Sequence, residues 1–246
     1  MAARLLSGRA GAMSDRVAGW FGVSESAETP WAESRADLGH SKVAIVAAAG
    51  VFVKGQPPFR DVSLEGDFTF RAIPKDQPRG TLSFGRFWID SRLAALDPNV
   101  VFPIERLNEL ERKRFIHAAA ARHYSLAAYC ADFAPLVNGS AKEIARRLRY
   151  DGVDKAVVLA ASPLGEEAAI RVQRVIEEEG IPTIALVYSR QAALALKSPR
   201  ACVLAKGALC RLDEYLDPPA QTELLVTMLR QFDAMKRGAE NIHEIH

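Results

Sequence analysis

Apolar residues change their spacing along this chain in a way that predicts alternating strands and helices. The segment 43–49 (Val-Ala-Ile-Val-Ala-Ala-Ala) is continuously apolar between Lys42 and Gly50, the pattern of a strand covered on both faces. Residues 155–161 (KAVVLAA), 182–188 (PTIALVY) and 201–205 (ACVLA) repeat the pattern. Between them lie helical stretches. Residues 104–115 place Leu107, Leu110 and Phe115 on one stripe behind Pro103, and 140–149 opens with Ser140 and Glu143 as a capping box and closes at Gly152. Residues 166–179 end at Gly180, 191–196 form a short helix, and 221–236 carry Leu224, Leu225, Met228, Leu229 and Phe232 on one side. Strand, helix and strand at this spacing predict an α/β fold: a mainly parallel sheet with helices on both faces.

Two regions fall outside that rhythm. Residues 51–100 are rich in turn formers (Gly55, Pro57, Pro58, Gly66, Pro74, Pro78, Gly80, Gly85) with short alternating pieces at 67–71 and 81–84, which predicts a loop-rich insertion after the first strand. Residues 1–40 read as an N-terminal extension to a single domain over 41–246. Arg4, Arg9 and Arg16 lie among small residues, a short helix is expected at 16–21, and Met13 is an alternative start. Trp20, Phe21 and Trp31 are expected to anchor this extension, 24–34 to be a polar connector, and 124–129 to be helical.

Composition narrows the function. The 246 residues carry 32 basic and 30 acidic side chains, a balance of +2 that gives no basic excess for phosphate neutralisation, so no nucleic-acid partner is expected. The longest uncharged apolar run, 43–53, is too short to span a bilayer, so no membrane partner is expected. Cys130, Cys202 and Cys210 form no C-x-x-C pair and no disulfide framework, which fits a cytoplasmic protein. There is no G-x-G-x-x-G after a strand and no P-loop, so no organic cofactor is expected, nor any metal.

Candidate chemistry lies beyond the carboxyl ends of the strands, where parallel sheets bind ligands. The loop after Ala161 (Ser162-Pro163-Leu164-Gly165) opens a helix whose free N–H groups favour an anion or carboxylate; Ser162 or Gly165 as a plain cap is the alternative. His123 and Tyr124 could supply acid/base chemistry, against a structural histidine beside Arg122. Lys54 stands past the first strand as a cation for a carboxylate, or as a solvated lysine. Asp90, Asp97 and Asn99 supply oxygens without EF-hand spacing, and capping is the competing role for Asp97 and Asn99. Arg146, Arg147 and Arg149 read as a wet helix face, and His243 and His246 as a frayed tail.

An ordered set of segments resembles the glycine, sarcosine, betaine and D-proline reductase components, the selenoprotein B family. These segments are 42–46 to Gly50, Val53-Lys54-Gly55-Gln56-Pro57-Pro58-Phe59, and Gly66-Asp67-Phe68-Thr69-Phe70-Arg71-Ala72-Ile73-Pro74. Further on come Asp90, Asp97-Pro98-Asn99-Val100-Val101-Phe102-Pro103, Arg106-Leu107-Asn108-Glu109-Leu110, and Arg122-His123-Tyr124-Ser125. The set ends with 145–148, 151–154, 172–174 and 179–183. The resemblance implies reductive C–N cleavage of an amino acid or betaine by a selenocysteine or cysteine in a U-x-x-C type motif after a strand, with electrons from a thioredoxin-type partner. It places that motif at Ser162-Pro163-Leu164-Gly165, where both chalcogen positions are empty. A serine hydroxyl neither ionises like a thiol nor exchanges disulfides.

The expectation is therefore an oxidoreductase-type homologue acting on or binding a small amino-acid-like or carboxylate ligand. Ser162, His123 and Tyr124 would be its catalytic residues, and Lys54, Asp67, Asp97, Asn99, Pro163 and Gly165 would bind substrate. The alternatives are a non-catalytic accessory or ligand-binding subunit that has lost the redox centre, and an acid/base enzyme of racemase or lyase type. The expected partners are the small-molecule ligand, a thioredoxin-type or reductase-complex protein, and further copies of the chain in a homo-oligomer.

Overall fold

A computed structural model describes residues 28–60, 65–85, 91–206, 213–238 and 241–245. The expectations at 16–21, Met13, Trp20, Phe21, Asp90, Cys210 and His246 lie outside the described residues. In chain order the strands are β1 (Lys42–Ala48), β2 (Val51–Val53), β3 (Phe70–Pro74), β4 (Leu82–Phe84), β5 (Ala118–Ala119), β6 (Arg122–Leu126), β7 (Lys155–Ala160), β8 (Thr183–Val187), β9 (Ala201–Leu204) and β10 (Ile242–Ile245). The α-helices are α1 (Ser91–Leu96), α2 (Ile104–Arg112), α3 (Lys142–Tyr150), α4 (Glu166–Glu178), α5 (Arg190–Ala195) and α6 (Pro218–Ala234).

The main sheet runs β10-β9-β8-β7-β1-β6-β3, with β5 also on β1, and β2 and β4 form a separate antiparallel pair. Every pairing in the main sheet is parallel except β3 with β6. Strand β1 is an interior strand with three partners: besides β5, it pairs with β7 from Val43↔Lys155 to Ala48↔Ala160 and with β6 from Val46↔Tyr124. Alternate residues of β1 enter opposite layers. Val43, Ile45 and Ala47 pack with Leu107 of α2 and Leu225, Met228 and Phe232 of α6. Ala44, Val46 and Ala48 pack with Ile144 and Leu148 of α3, Ile170 and Val172 of α4, and Ala193 of α5. The fully apolar reading of β1 follows from this two-sided cover.

Several expectations are corrected. Residues 124–129 are not helical: Tyr124 and Leu126 face one layer while His123 and Ser125 are buried on the other, the period of a strand. Ser140 does not cap a helix. A π-helical turn, Leu136–Ala141, runs directly into α3, so Ser140 stands inside the helix, and Glu143 pairs with Arg146 and Arg147 instead. The tail at His243 is not frayed, because Ile242–Ile245 adds a parallel strand to β9. Gly152 (φ 64°) and Gly180 (φ 86°) do end their helices in the left-handed region. No described helix is long and apolar enough to cross a membrane.

Residues 31–36 cross the amino ends of β7–β9 and are held by buried ions. Glu177 accepts the Ala32 N–H at 2.5 Å, Arg200 donates to the Ala32 carbonyl at 2.7 Å, and the two charges pair at 2.7 Å. The Arg200 guanidinium stacks 3.6 Å from the Trp31 ring centroid, which fulfils the anchor expected of Trp31. Lys155, on β7, donates to the Ala36 carbonyl at 2.6 Å and to Ser34. Glu177 also accepts the N–H and hydroxyl of Thr183, so its charge is well compensated. Replacing Arg200 by Ala strands the Glu177 carboxylate; we expect a loss of about 3–5 kcal/mol in chemical denaturation. A loss under 1 kcal/mol would show that the pair does not hold this segment.

Candidate functional site

The chain leaves β1 toward the layer that holds α1 and α2, but leaves β7 toward the layer that holds α4. Adjacent parallel strands that send their connections to opposite faces open a crevice at their carboxyl ends. The two loops singled out in the sequence, after Ala49 and after Ala161, meet there. The Ala161 N–H reaches the Ala48 carbonyl at 3.3 Å, while the N–H groups of Ala49 and Gly50 donate to the Leu126 carbonyl at the end of β6. Ser125 Oγ, buried on β6, accepts the Val51 N–H at 2.8 Å and fixes the chain as it leaves the β1 loop. Gly165 is packed so tightly that a Cβ on it would lie 2.9 Å from the Ala48 carbonyl oxygen and 3.3 Å from the Ala48 Cβ.

Ser162 opens this loop. It is 6% exposed, and its hydroxyl has no hydrogen-bond partner; it makes no cap bond to the turn Pro163–Gly165. A buried hydroxyl without a partner costs on the order of 1–3 kcal/mol, so it calls for a ligand or water. Pro163 is exposed and fixes the first position of the turn, and Leu164 beside it is 40% exposed. Immediately after Gly165 stands Glu166, also 6% exposed. One of its carboxylate oxygens accepts the N–H groups of Tyr188 and, at 2.8 Å, Ser189, which ties the β7 loop to the end of β8. Tyr188 strengthens the tie by donating its hydroxyl to the Ala160 carbonyl at 2.6 Å. Burial pushes the Glu166 pKa up, partly offset by those two N–H groups.

In the sequence Glu166 and Glu167 read alike, as first-turn carboxylates that complement the helix dipole. The helical period carried more information. Glu166, Ala169, Ile170, Gln173 and Glu177 share the buried stripe of α4, whereas Glu167 faces outward and pairs with Arg171 at 2.7 Å.

The other candidates do not converge on this crevice. His123 lies near the amino end of β6, fully buried, with Nδ1 accepting the Ile45 N–H at 3.0 Å where β1 passes from β5 to β6. That bond fixes the tautomer with the proton on Nε2, and Nε2 has no partner. Burial, assisted by Lys75, lowers the His123 pKa to about 3, so the ring stays neutral. Tyr124 is fully buried on the opposite face, edge-on to Phe70, its hydroxyl unpartnered and its pKa raised by burial.

Lys54 spends its ammonium on the Gly80 carbonyl at 2.9 Å. Asp67 accepts from Thr69 and from the Arg60 N–H; burial works to raise its pKa, but these bonds and Arg71 hold it below the usual range. Asp97 takes the Asn99 N–H at 3.0 Å and the Gln221 amide at 2.8 Å, and Asn99 accepts the Glu105 N–H at 3.1 Å. Both therefore cap the turns that follow them. An apolar cleft of about 20 Å³ between α6 and residues 99–103 is only water-sized. The cysteines Cys130 and Cys202 are buried, and burial pushes both thiols up to about 12. Among the described residues no group of three or more His, Cys, Asp or Glu is arranged to hold a metal.

Two outcomes test this geometry. The folded His123 pKa lies below its unfolded value, so the unfolded chain binds the extra proton first. Stability should fall as pH drops from about 6.5 toward 3, and H123N should flatten that slope by roughly one proton in urea titrations. An unaltered slope would show that His123 titrates freely. Gly165→Ala should cost about 1–3 kcal/mol by pushing the loop off Ala48, whereas unchanged stability would show that the loop yields.

No family model matches the sequence and no solved structure matches it. The chain is similar to a protein of Acetoanaerobium sticklandii named D-proline reductase subunit gamma, 30% identical over 201 residues that span 82% of each chain. At that identity and coverage the chain belongs to the family of this reductase subunit.

Proposed function

We propose that this protein is a ligand-binding subunit of a reductase complex, one that holds a small amino-acid-like carboxylate in the β1/β7 crevice and does not perform the thiol redox step itself. The buried, unpartnered hydroxyl of Ser162 carries the reading. It stands where the family resemblance puts the selenol or thiol, and it offers a ligand a donor beyond the carboxyl ends of the strands, where such ligands bind.

The chemistry of the remaining groups supports binding over reduction. A serine cannot pass electrons by disulfide exchange. The thiols of Cys130 and Cys202 are held protonated by burial and lie away from solvent, so neither is a competent nucleophile. The neutral, buried His123 gives an acid/base mechanism no proton carrier at the crevice. The relative is named as a subunit; by analogy this chain works beside a protein that carries electrons, and the exposed Leu164 next to Ser162 suits a contact with that partner.

Thermal shift against D-proline, glycine, sarcosine and betaine at millimolar concentration tests the reading. At least one should raise the Tm of the wild type, and Ser162→Ala should weaken that response about tenfold in ligand concentration. Should none stabilise the wild type, or should the purified chain cleave any of them with dithiothreitol alone, the reading fails.

A further inference from the structure

We propose that the outer face of α3 is a nucleotide site, an open cleft that holds a nucleoside diphosphate or triphosphate by its phosphates and its base. The cleft shares no residue with the β1/β7 crevice, so the inference stands apart from the reading of that crevice.

Charge is the first argument. Lys142, Arg146, Arg147 and Arg149 stand on α3 against two carboxylates, Glu143 on the same helix and Glu179 at the end of α4. Glu143 is shared: Arg146 grips it with Nε and Nη2, both at 2.8 Å, and Arg147 Nε reaches it at 2.7 Å. Glu179 accepts from Arg149 at 2.6 Å. The Lys142 ammonium has no partner among the described residues. The cations thus exceed the carboxylates by about two charges, as many as a phosphate monoester carries near neutrality.

Shape turns that charge into a site. Lys142, Arg146, Arg149, Tyr150 and Glu179 line one cleft of about 540 Å³, the size of a small-molecule site. Positions 142, 146, 149 and 150 recur at helical spacing, so they form one stripe roughly 12 Å long. Tyr150 ends that stripe 83% exposed, an uncovered ring beside cations, which suits a stacked base. Inorganic phosphate would use the cations and leave this ring bare. The carbonyl ends of α3 and α4 lie at the Tyr150 and Glu179 end, where their partial negative charge and the Glu179 carboxylate disfavour phosphate. The phosphates therefore face Lys142 and Arg146, and the base faces Tyr150.

Calorimetric titration of the full chain with ADP, adenosine and inorganic pyrophosphate in magnesium-free buffer tests the site. ADP should bind the wild type at least about tenfold more tightly than either of the other two probes. Lys142→Gln should weaken ADP about fivefold. Tyr150→Ala should weaken ADP about five- to tenfold while changing pyrophosphate by less than about twofold. Adenosine or pyrophosphate binding as tightly as ADP, no binding of ADP to the wild type, or an unchanged ADP affinity in either variant overturns the assignment. The wild-type comparison of the three probes decides even if a variant does not fold, and none of these outcomes bears on the crevice.

Discussion

Everything in this fold is arranged around a strand that touches no water beyond its first residue, Lys42. Strand β1 is hydrogen-bonded to β7 on one edge and to β5 and β6 on the other, and helices cover both of its faces. A strand so placed must be apolar from Val43 to Ala48, and its backbone groups there must all find partners inside the fold. The one gap in its ladder, at Ile45, is closed by the ring of His123. The crevice is a product of the same constraint: with both edges occupied, the chain can leave β1 only past the last residue, where β7 leaves in the opposite direction.

The parts of the fold that declare themselves in the sequence are those fixed by burial. β1, β7, β8 and β9 are continuous apolar runs, and α4 and α6 carry clear stripes, so periodicity finds them. β6 was harder. Arg-His-Tyr-Ser-Leu hides its strand period because both faces are buried, and its polar residues are satisfied internally, Ser125 by Val51 and His123 by Ile45. The capping box at Ser140 failed for a local reason. A cap needs orphan N–H groups, and the π-turn from Leu136 leaves none there. β10 has little hydrophobic signal, since its edge position leaves every residue partly exposed.

The candidate site was legible in its location and only partly in its groups. Strand order put the loops after Ala49 and Ala161 together, and the structure joins them through Ala48. Asp67, Asp97 and Asn99 looked equally chemical in sequence, yet each is consumed by capping or by turn formation. Asp67 serves Thr69 and Arg60, and Asp97 serves Asn99 and Gln221. What distinguishes Ser162 from them is an unpartnered hydroxyl beyond the carboxyl end of β7, a property of three-dimensional neighbours that no spacing encodes.

The ions at the opposite end of the sheet have a quieter consequence. Glu177, Arg200 and Lys155 take hold of residues 32–36 mostly through main-chain atoms, the amide and carbonyl of Ala32 and the carbonyl of Ala36. A grip on the backbone is indifferent to which side chains ride on it. Evolution is therefore free to rewrite the surface of that stretch, provided that it keeps the chain's spacing, an aromatic at Trp31 and an amide hydrogen at position 32.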